Sequence, residues 1–198
     1  MSAKIAEMLL GLPAMLWAIT FHEYCHGYAA YKCGDRTAEL DGRLSLNPLH
    51  HLDPVGALCL LLFRFGWAKP VPINPGNFKN PRRDMVIVAL AGAAGNILTA
   101  FVCVQLAKFA PSLFQSYGAQ MFIQIMIYMN IGLAAFNLIP IPPLDGSRIL
   151  YVFLPYKWMH GYYVLERYGM FILLGLMITN ILPILMSPIF YLIEKIIF

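Results

Sequence analysis

A chain of 198 residues that is 60% hydrophobic and only 12% charged does not have the composition of a soluble globular protein, which carries about 25% charged residues. Its apolar residues gather in runs near the roughly 20 residues needed to span a hydrocarbon core, so an all-α polytopic membrane protein is expected. The net charge of +4 does not mark a nucleic-acid binder, because the basic residues form neither one long run nor an RNA-binding signature.

The first predicted element is an apolar helix from about Ile5 to Tyr31, about 40 Å long at 1.5 Å per residue and so a full span with slack for tilt. No small-x-small cleavage site follows it, so it reads as a retained span rather than a removable signal. Within it lies Phe21-His22-Glu23-Tyr24-Cys25-His26-Gly27, an H-E-x-x-H motif. Residues four apart on a helix share a face, so His22 and His26 can bind one metal ion while Glu23 sits near a bound water as general base. That is the spacing used by zinc peptidases. Two imidazoles and a carboxylate in an apolar span are costly without a cation or a hydrated cavity, with about 2.5–3.5 kcal/mol for an Asp at mid-helix. The alternative is three interfacial polar residues near a cytoplasmic helix end.

From Lys32 to Arg83 the texture changes to Gly, Pro, Asn and charge. The shorter apolar piece Pro54 to Phe65 suits a re-entrant or interfacial segment better than a span. Lys69-Pro70-Val71-Pro72-Ile73-Asn74-Pro75 must be extended, because closely spaced prolines exclude regular helix. It is either a surface loop or an edge that pairs with an unwound substrate. His50, His51 and Asp53 are a second cluster of metal-ligating types, but their turn-rich setting favours a structural or interfacial role.

Clear spans follow at Met85 to Leu106, at Tyr117 to Ile139 and, after a short helix from about Ser147 to Phe153, at Tyr168 to Leu185. The tail Pro188 to Phe198 is expected at the interface. The expected architecture is therefore about four clear transmembrane helices, a short re-entrant or interfacial segment and an extended proline-rich loop, in one membrane-embedded domain over residues 1–198. Cys25, Cys33, Cys59 and Cys103 lie in or beside apolar segments with no pairing motif, and are expected to pack rather than to form disulfides.

Eight of the 14 basic residues, Lys32, Arg36, Arg43, Arg64, Lys69, Lys79, Arg82 and Arg83, fall between the first two clear spans. By the positive-inside rule that region is cytoplasmic and the N-terminus lies outside.

Two histidines leave zinc short of a protein ligand, since catalytic sites commonly use three plus water. Between Asp84 and Glu166 the sole acid is Asp145. It follows the third span in Asn137-Leu138-Ile139-Pro140-Ile141-Pro142-Pro143-Leu144-Asp145-Gly146, where prolines end the helix and can deliver a carboxylate to a protein-lined position. Alternatively, Asp145 caps the short helix that follows.

These motifs resemble the site-2 protease family of intramembrane zinc metalloproteases, in a compact form without a PDZ or CBS domain. The likeness covers nearly the whole chain: the His22-Glu23-x-x-His26 helix, Gly42-Arg43-Leu44-Ser45-Leu46-Asn47-Pro48, Trp67-Ala68-Lys69-Pro70-Val71-Pro72 and the Asn137 to Gly146 run, similar to the family's asparagine-proline-aspartate-glycine motif. The resemblance places the third zinc ligand on Asp145. Ala91-Gly92-Ala93-Ala94-Gly95-Asn96 looks like the family's glycine-x-x-x-asparagine element, with Ala93 where a proline is often found. It implies a substrate or oxyanion contact for Asn96, and likewise Asn137, against a helix-packing hydrogen bond for Asn96.

The resemblance further implies one Zn2+ per chain, a transmembrane protein or peptide as substrate, regulated intramembrane proteolysis, a bacterial plasma membrane as setting and an active site toward the cytoplasm. A transporter or metal-handling protein using the same residues as an ion path is the rival, disfavoured by the lack of repeated halves with paired broken helices.

Overall fold

The computed structural model describes residues 3–56 and 68–198. The piece Pro54 to Phe65, Cys59 and Trp67 therefore fall wholly or mostly outside the described residues. Helix α1, Ala3–Cys33, has the extent expected of the first span. It stops at Gly34, whose φ of 109° only glycine adopts freely. There the amide of Asp35 reaches back to the Ala30 carbonyl at 2.9 Å.

The polar stretch that follows is a compact scaffold rather than loose loop. It holds the one-turn helix α2, Thr37–Leu40, and 3-10 turns at Pro48–His50 and Pro75–Asn77. Each 3-10 turn begins with proline, and its preceding asparagine, Asn47 or Asn74, caps it by accepting from the amide of Leu49 or Gly76. Buried Asp35 ties the two ends together, accepting from the Thr37 hydroxyl, the Asn74 amide at 2.7 Å and the Asn77 side chain at 2.8 Å. Burial pushes the Asp35 carboxyl up, but the hydrogen bonds from Thr37, Asn77 and Asn74 outweigh it and hold the group below the usual carboxylate range. The expected extended segment is present up to Asn74, joined to the scaffold by one antiparallel bridge, Leu52 to Ala68. Among the described residues there is no strand beyond it.

Helix α3, Pro81–Phe109, starts on a proline and buries a stripe of small residues, including Gly92, Ala93, Gly95 and Ala100. That stripe lets α1 and α4, Tyr117–Asn137, approach closely. Helix α4 ends at the proline run, from which α5, Asp145–Phe153, departs. Then come α6, Met159–Ile178, and α7, Leu182–Ile197. Three described stretches are helical, long and apolar enough to cross a membrane, Pro81–Phe109, Tyr117–Asn137 and Tyr156–Ile178, and α1 is longer than any of them. With large apolar side chains such as Leu98, Phe101, Phe171 and Ile178 exposed, this is a multi-pass integral membrane protein.

Two boundaries differ from expectation. The last span lies earlier than Tyr168 to Leu185, because the chain breaks at Thr179–Ile181, where Asn180 takes a φ of 56°. A uniform apolar run conceals such a break, which asparagine tolerates better than most residues. The tail helix also starts earlier than Pro188: α7 runs from Leu182, and its Ile193 and Ile197 lie in the main core with Ile123, Ile127 and Ile131 of α4 and Val104 of α3. Cys33 and Cys103 are buried and Cys25 partly so, all three as free thiols.

Candidate metal centre

Helix periodicity puts His22 and His26 on one face of α1, their rings edge to face with centroids 4.6 Å apart. The proline turn brings Asp145, the first residue of α5, against them from the other side. Its Oδ2 lies 3.1 Å from His22 Nε2 and 3.0 Å from His26 Nε2, and the two Nε2 atoms are 3.0 Å apart. All three side chains are buried. Leu144 rather than Asp145 is the N-cap of α5, and the positive end of that helix favours the carboxylate's charge.

The donor set tests whether a cation fits. His26 Nδ1 sits 2.7 Å from the Val88 carbonyl and His22 Nδ1 sits 2.7 Å from Asn96 Oδ1. Both partners only accept, so each Nδ1 carries the hydrogen and each Nε2 presents a lone pair. Three lone-pair donors then face one another at about 3 Å, which is repulsive unless a cation, or a proton, lies among them. Ligands about 2.0–2.1 Å from a tetrahedral zinc would be roughly 3.3 Å apart, so the residues present fit the ion with slight spreading. Among the described residues this is the one such group of His, Cys, Asp and Glu.

Helix α3 fits against this triangle through glycine. A Cβ on Gly92 would sit 2.5 Å from His26 Nε2 and 2.6 Å from His22 Nε2, inside the space that an ion and its water need. Gly169 of α6 is pressed in the same way against the Pro142 carbonyl, in the turn that delivers Asp145.

Glu23 is half-buried beside the histidines, its Oε2 accepting from the Val71 amide at 2.9 Å. The extended segment is itself gripped: Arg43 donates to the carbonyls of Lys69 at 2.7 Å and Pro70 at 3.2 Å, and the Lys69 amide binds the His51 carbonyl. Between residues 69 and 71 these groups are thus engaged internally. There the segment braces Glu23 rather than offering an open edge.

Asn96 does not fit a substrate or oxyanion contact. Wholly buried, it spends both amide hydrogens on the Ala18 carbonyl at 2.9 Å and Asn130 Oδ1 at 2.8 Å, and its oxygen accepts from His22. No donor is left for an oxyanion. Asn137 is different, since its amide uses one bond, to the Leu133 carbonyl, and its side chain is half-buried at the end of α4. His50 and His51 take the structural role, each on a backbone carbonyl, of Gly42 at 3.0 Å and Ser45 at 2.7 Å, while Asp53 accepts from the Gly56 amide. Asn130 has no counterpart among the expected site residues; it is one of four side-chain amides in α4, with Gln120, Gln124 and Asn137, and the one that is wholly buried.

The sequence profile of peptidase family M50 matches residues 104–176, which include Asp145 but not His22 or His26. The chain is 40% identical over 175 residues to a protein of Bacillus subtilis (strain 168) described as "Putative zinc metalloprotease YwhC", an alignment covering 83% of this chain and 78% of that one. It is 26% identical over 184 residues to "Putative zinc metalloprotease Rip2" of Mycolicibacterium smegmatis (strain ATCC 700084 / mc(2)155), covering 88% and 69%. No solved structure matches the chain significantly.

Proposed function

We propose that this chain, which belongs to peptidase family M50 and is a zinc metalloprotease, cuts a peptide bond in or beside the transmembrane segment of another membrane protein. The observation that carries this reading is the convergence of His22, His26 and Asp145 next to Glu23 inside a bundle of apolar helices. We read residues 1–198 as a single catalytic domain, since α1, α3, α4 and α7 share one core.

In this reading His22, His26 and Asp145 hold the ion. Zinc, when bound, acidifies a water and polarises the scissile carbonyl. Glu23 takes the proton from the attacking water and returns it to the leaving nitrogen. The Val71 amide holds Glu23 Oε2, and the other oxygen, Oε1, does the proton transfer. Asn137, whose amide makes one hydrogen bond among the described residues and which lies at the mouth of the proline turn, is the candidate for a substrate or oxyanion contact. A helical substrate hides its carbonyls in internal hydrogen bonds, so it must unwind locally before attack. Release of a signalling fragment, a bacterial plasma membrane and an active site facing the cytoplasm complete the proposal.

Glu23→Gln tests the mechanism, because the amide keeps the shape and cannot accept the proton. It should retain one zinc per chain and lose cleavage of a model transmembrane substrate; near-normal turnover would sink the mechanism. Orientation has its own test: a cysteine at Asn80 should resist impermeant reagents applied outside intact cells. Labelling from outside would reverse it.

A further inference from the structure

We propose that Asn96 and Asn130 form a positioning relay across three helices that fixes the direction in which His22 presents its Nε2 lone pair. The proposal rests on the zinc-peptidase reading above. A backbone carbonyl only accepts, so it dictates which end of a side-chain amide faces it. On α4, Asn130 donates to the Met126 carbonyl at 2.8 Å, which turns its Oδ1 toward α3. That oxygen takes one hydrogen of the Asn96 amide, and the Ala18 carbonyl of α1 takes the other. With Nδ2 doubly committed, Asn96 Oδ1 has one direction left, 2.7 Å from His22 Nδ1. His22 is thereby held in one tautomer and one ring orientation, its Nε2 toward Asp145 and His26.

The two histidines are held by different means. His26 is oriented by the main chain, through the Val88 carbonyl, which no side-chain substitution removes. His22 is oriented by a side chain that is itself braced by a second side chain. Both asparagines are wholly buried, and ordinary helix packing needs partners for their amides but does not need one of them to be a metal-facing imidazole. Partners of this kind, which hold the far nitrogen of a ligating histidine, commonly shift metal affinity by about 10–100-fold when removed.

The test measures zinc dissociation constants by chelator competition on the full chain in detergent, for the wild type, Asn96→Leu, Asn130→Leu and the double variant. Asn96→Leu should weaken zinc by about 10–100-fold, and Asn130→Leu by less in the same direction. The double variant should be no weaker than Asn96→Leu alone, because Asn130 acts only through Asn96. Asn96→Asp still accepts from His22 Nδ1 but offers no amide hydrogens to the Ala18 carbonyl or Asn130 Oδ1, so its affinity should fall between those of the wild type and Asn96→Leu. With Asn130→Ser it supplies the milder pair should the leucine variants fail to fold. Losses that simply add, or unchanged affinity in folded variants of both asparagines, would overturn the relay. His22→Ala separates the two levels: a zinc site that needs His22 but ignores both asparagines removes the relay alone, whereas zinc binding indifferent to His22 removes the underlying reading and the relay with it.

Discussion

Two pairs of histidines occupy this chain and meet opposite fates. His22 and His26 stand four apart on a helix and share a third partner from 119 or more positions away, so their Nε2 atoms meet. His50 and His51 are adjacent, at the end of a 3-10 turn, and diverge to separate backbone carbonyls 3.0 and 2.7 Å away. Both pairs sit near an acid in sequence or space, so composition cannot separate them. What separates them is direction: helical spacing makes two rings converge, while neighbours in a turn point apart. The first pair builds a site and the second builds the scaffold that braces Glu23 through residues 69–71.

The comparison is broken most severely by removing what makes the first pair converge. Asp145→Ala should lower zinc affinity and cleavage by more than the 10–100-fold typical of lost outer partners, with Asp145→Asn intermediate because a neutral amide is a poorer ligand than a carboxylate. Chelator competition and cleavage of a transmembrane substrate check both. Gly92→Ala should come next, since its Cβ would intrude to 2.5 Å from His26 Nε2. Metal content should fall while the helix remains, as alanine is the better helix former. Gly11→Ala, with nothing within 4 Å of the added carbon, should leave metal and turnover unchanged.

Substitutions in the second region should act on stability instead. His51→Ala removes a buried ring whose Nε2 binds the Ser45 carbonyl and should cost about 1–3 kcal/mol with zinc stoichiometry intact, as read by thermal unfolding and metal analysis. Asp35→Asn should destabilise with a telltale pH dependence. The folded Asp35 carboxyl is held below its ordinary value, so the stability it lends is present above the unfolded value of about 3.9 and is lost as pH falls through the lower folded one. The gap between wild type and Asp35→Asn should therefore be full at pH 7 and close on acidification below pH 4. A gap that widens in acid would contradict the assignment.

Much of this was legible in the residues. The H-E-x-x-H spacing and the lone acid after a proline cluster are chemical signals that survive without knowledge of the fold, and the geometry unites them. The membrane class follows equally from composition. Hydropathy failed where a uniform property conceals a local one: the break at Thr179–Ile181 lies within an apolar stretch and depends on the backbone of Asn180. The residues left two readings of Asn96 open, a substrate contact and a helix-packing hydrogen bond, because whether an amide faces substrate or a neighbouring helix depends on what the other helices bring. Asn130, 34 positions further on, supplies that answer, and periodicity cannot reveal such a pairing.

The separation between His26 and Asp145 has a consequence for how the protein comes into being. Synthesis proceeds at about 5–20 residues per second, so the histidine pair waits on the order of ten seconds before its third ligand exists. The Asp145 turn also rests on Gly169 of a later helix. During translation the nascent chain therefore holds part of a site, His22, Glu23 and His26 without the Asp145 ligand, and that site is complete only after most of its helices have been made.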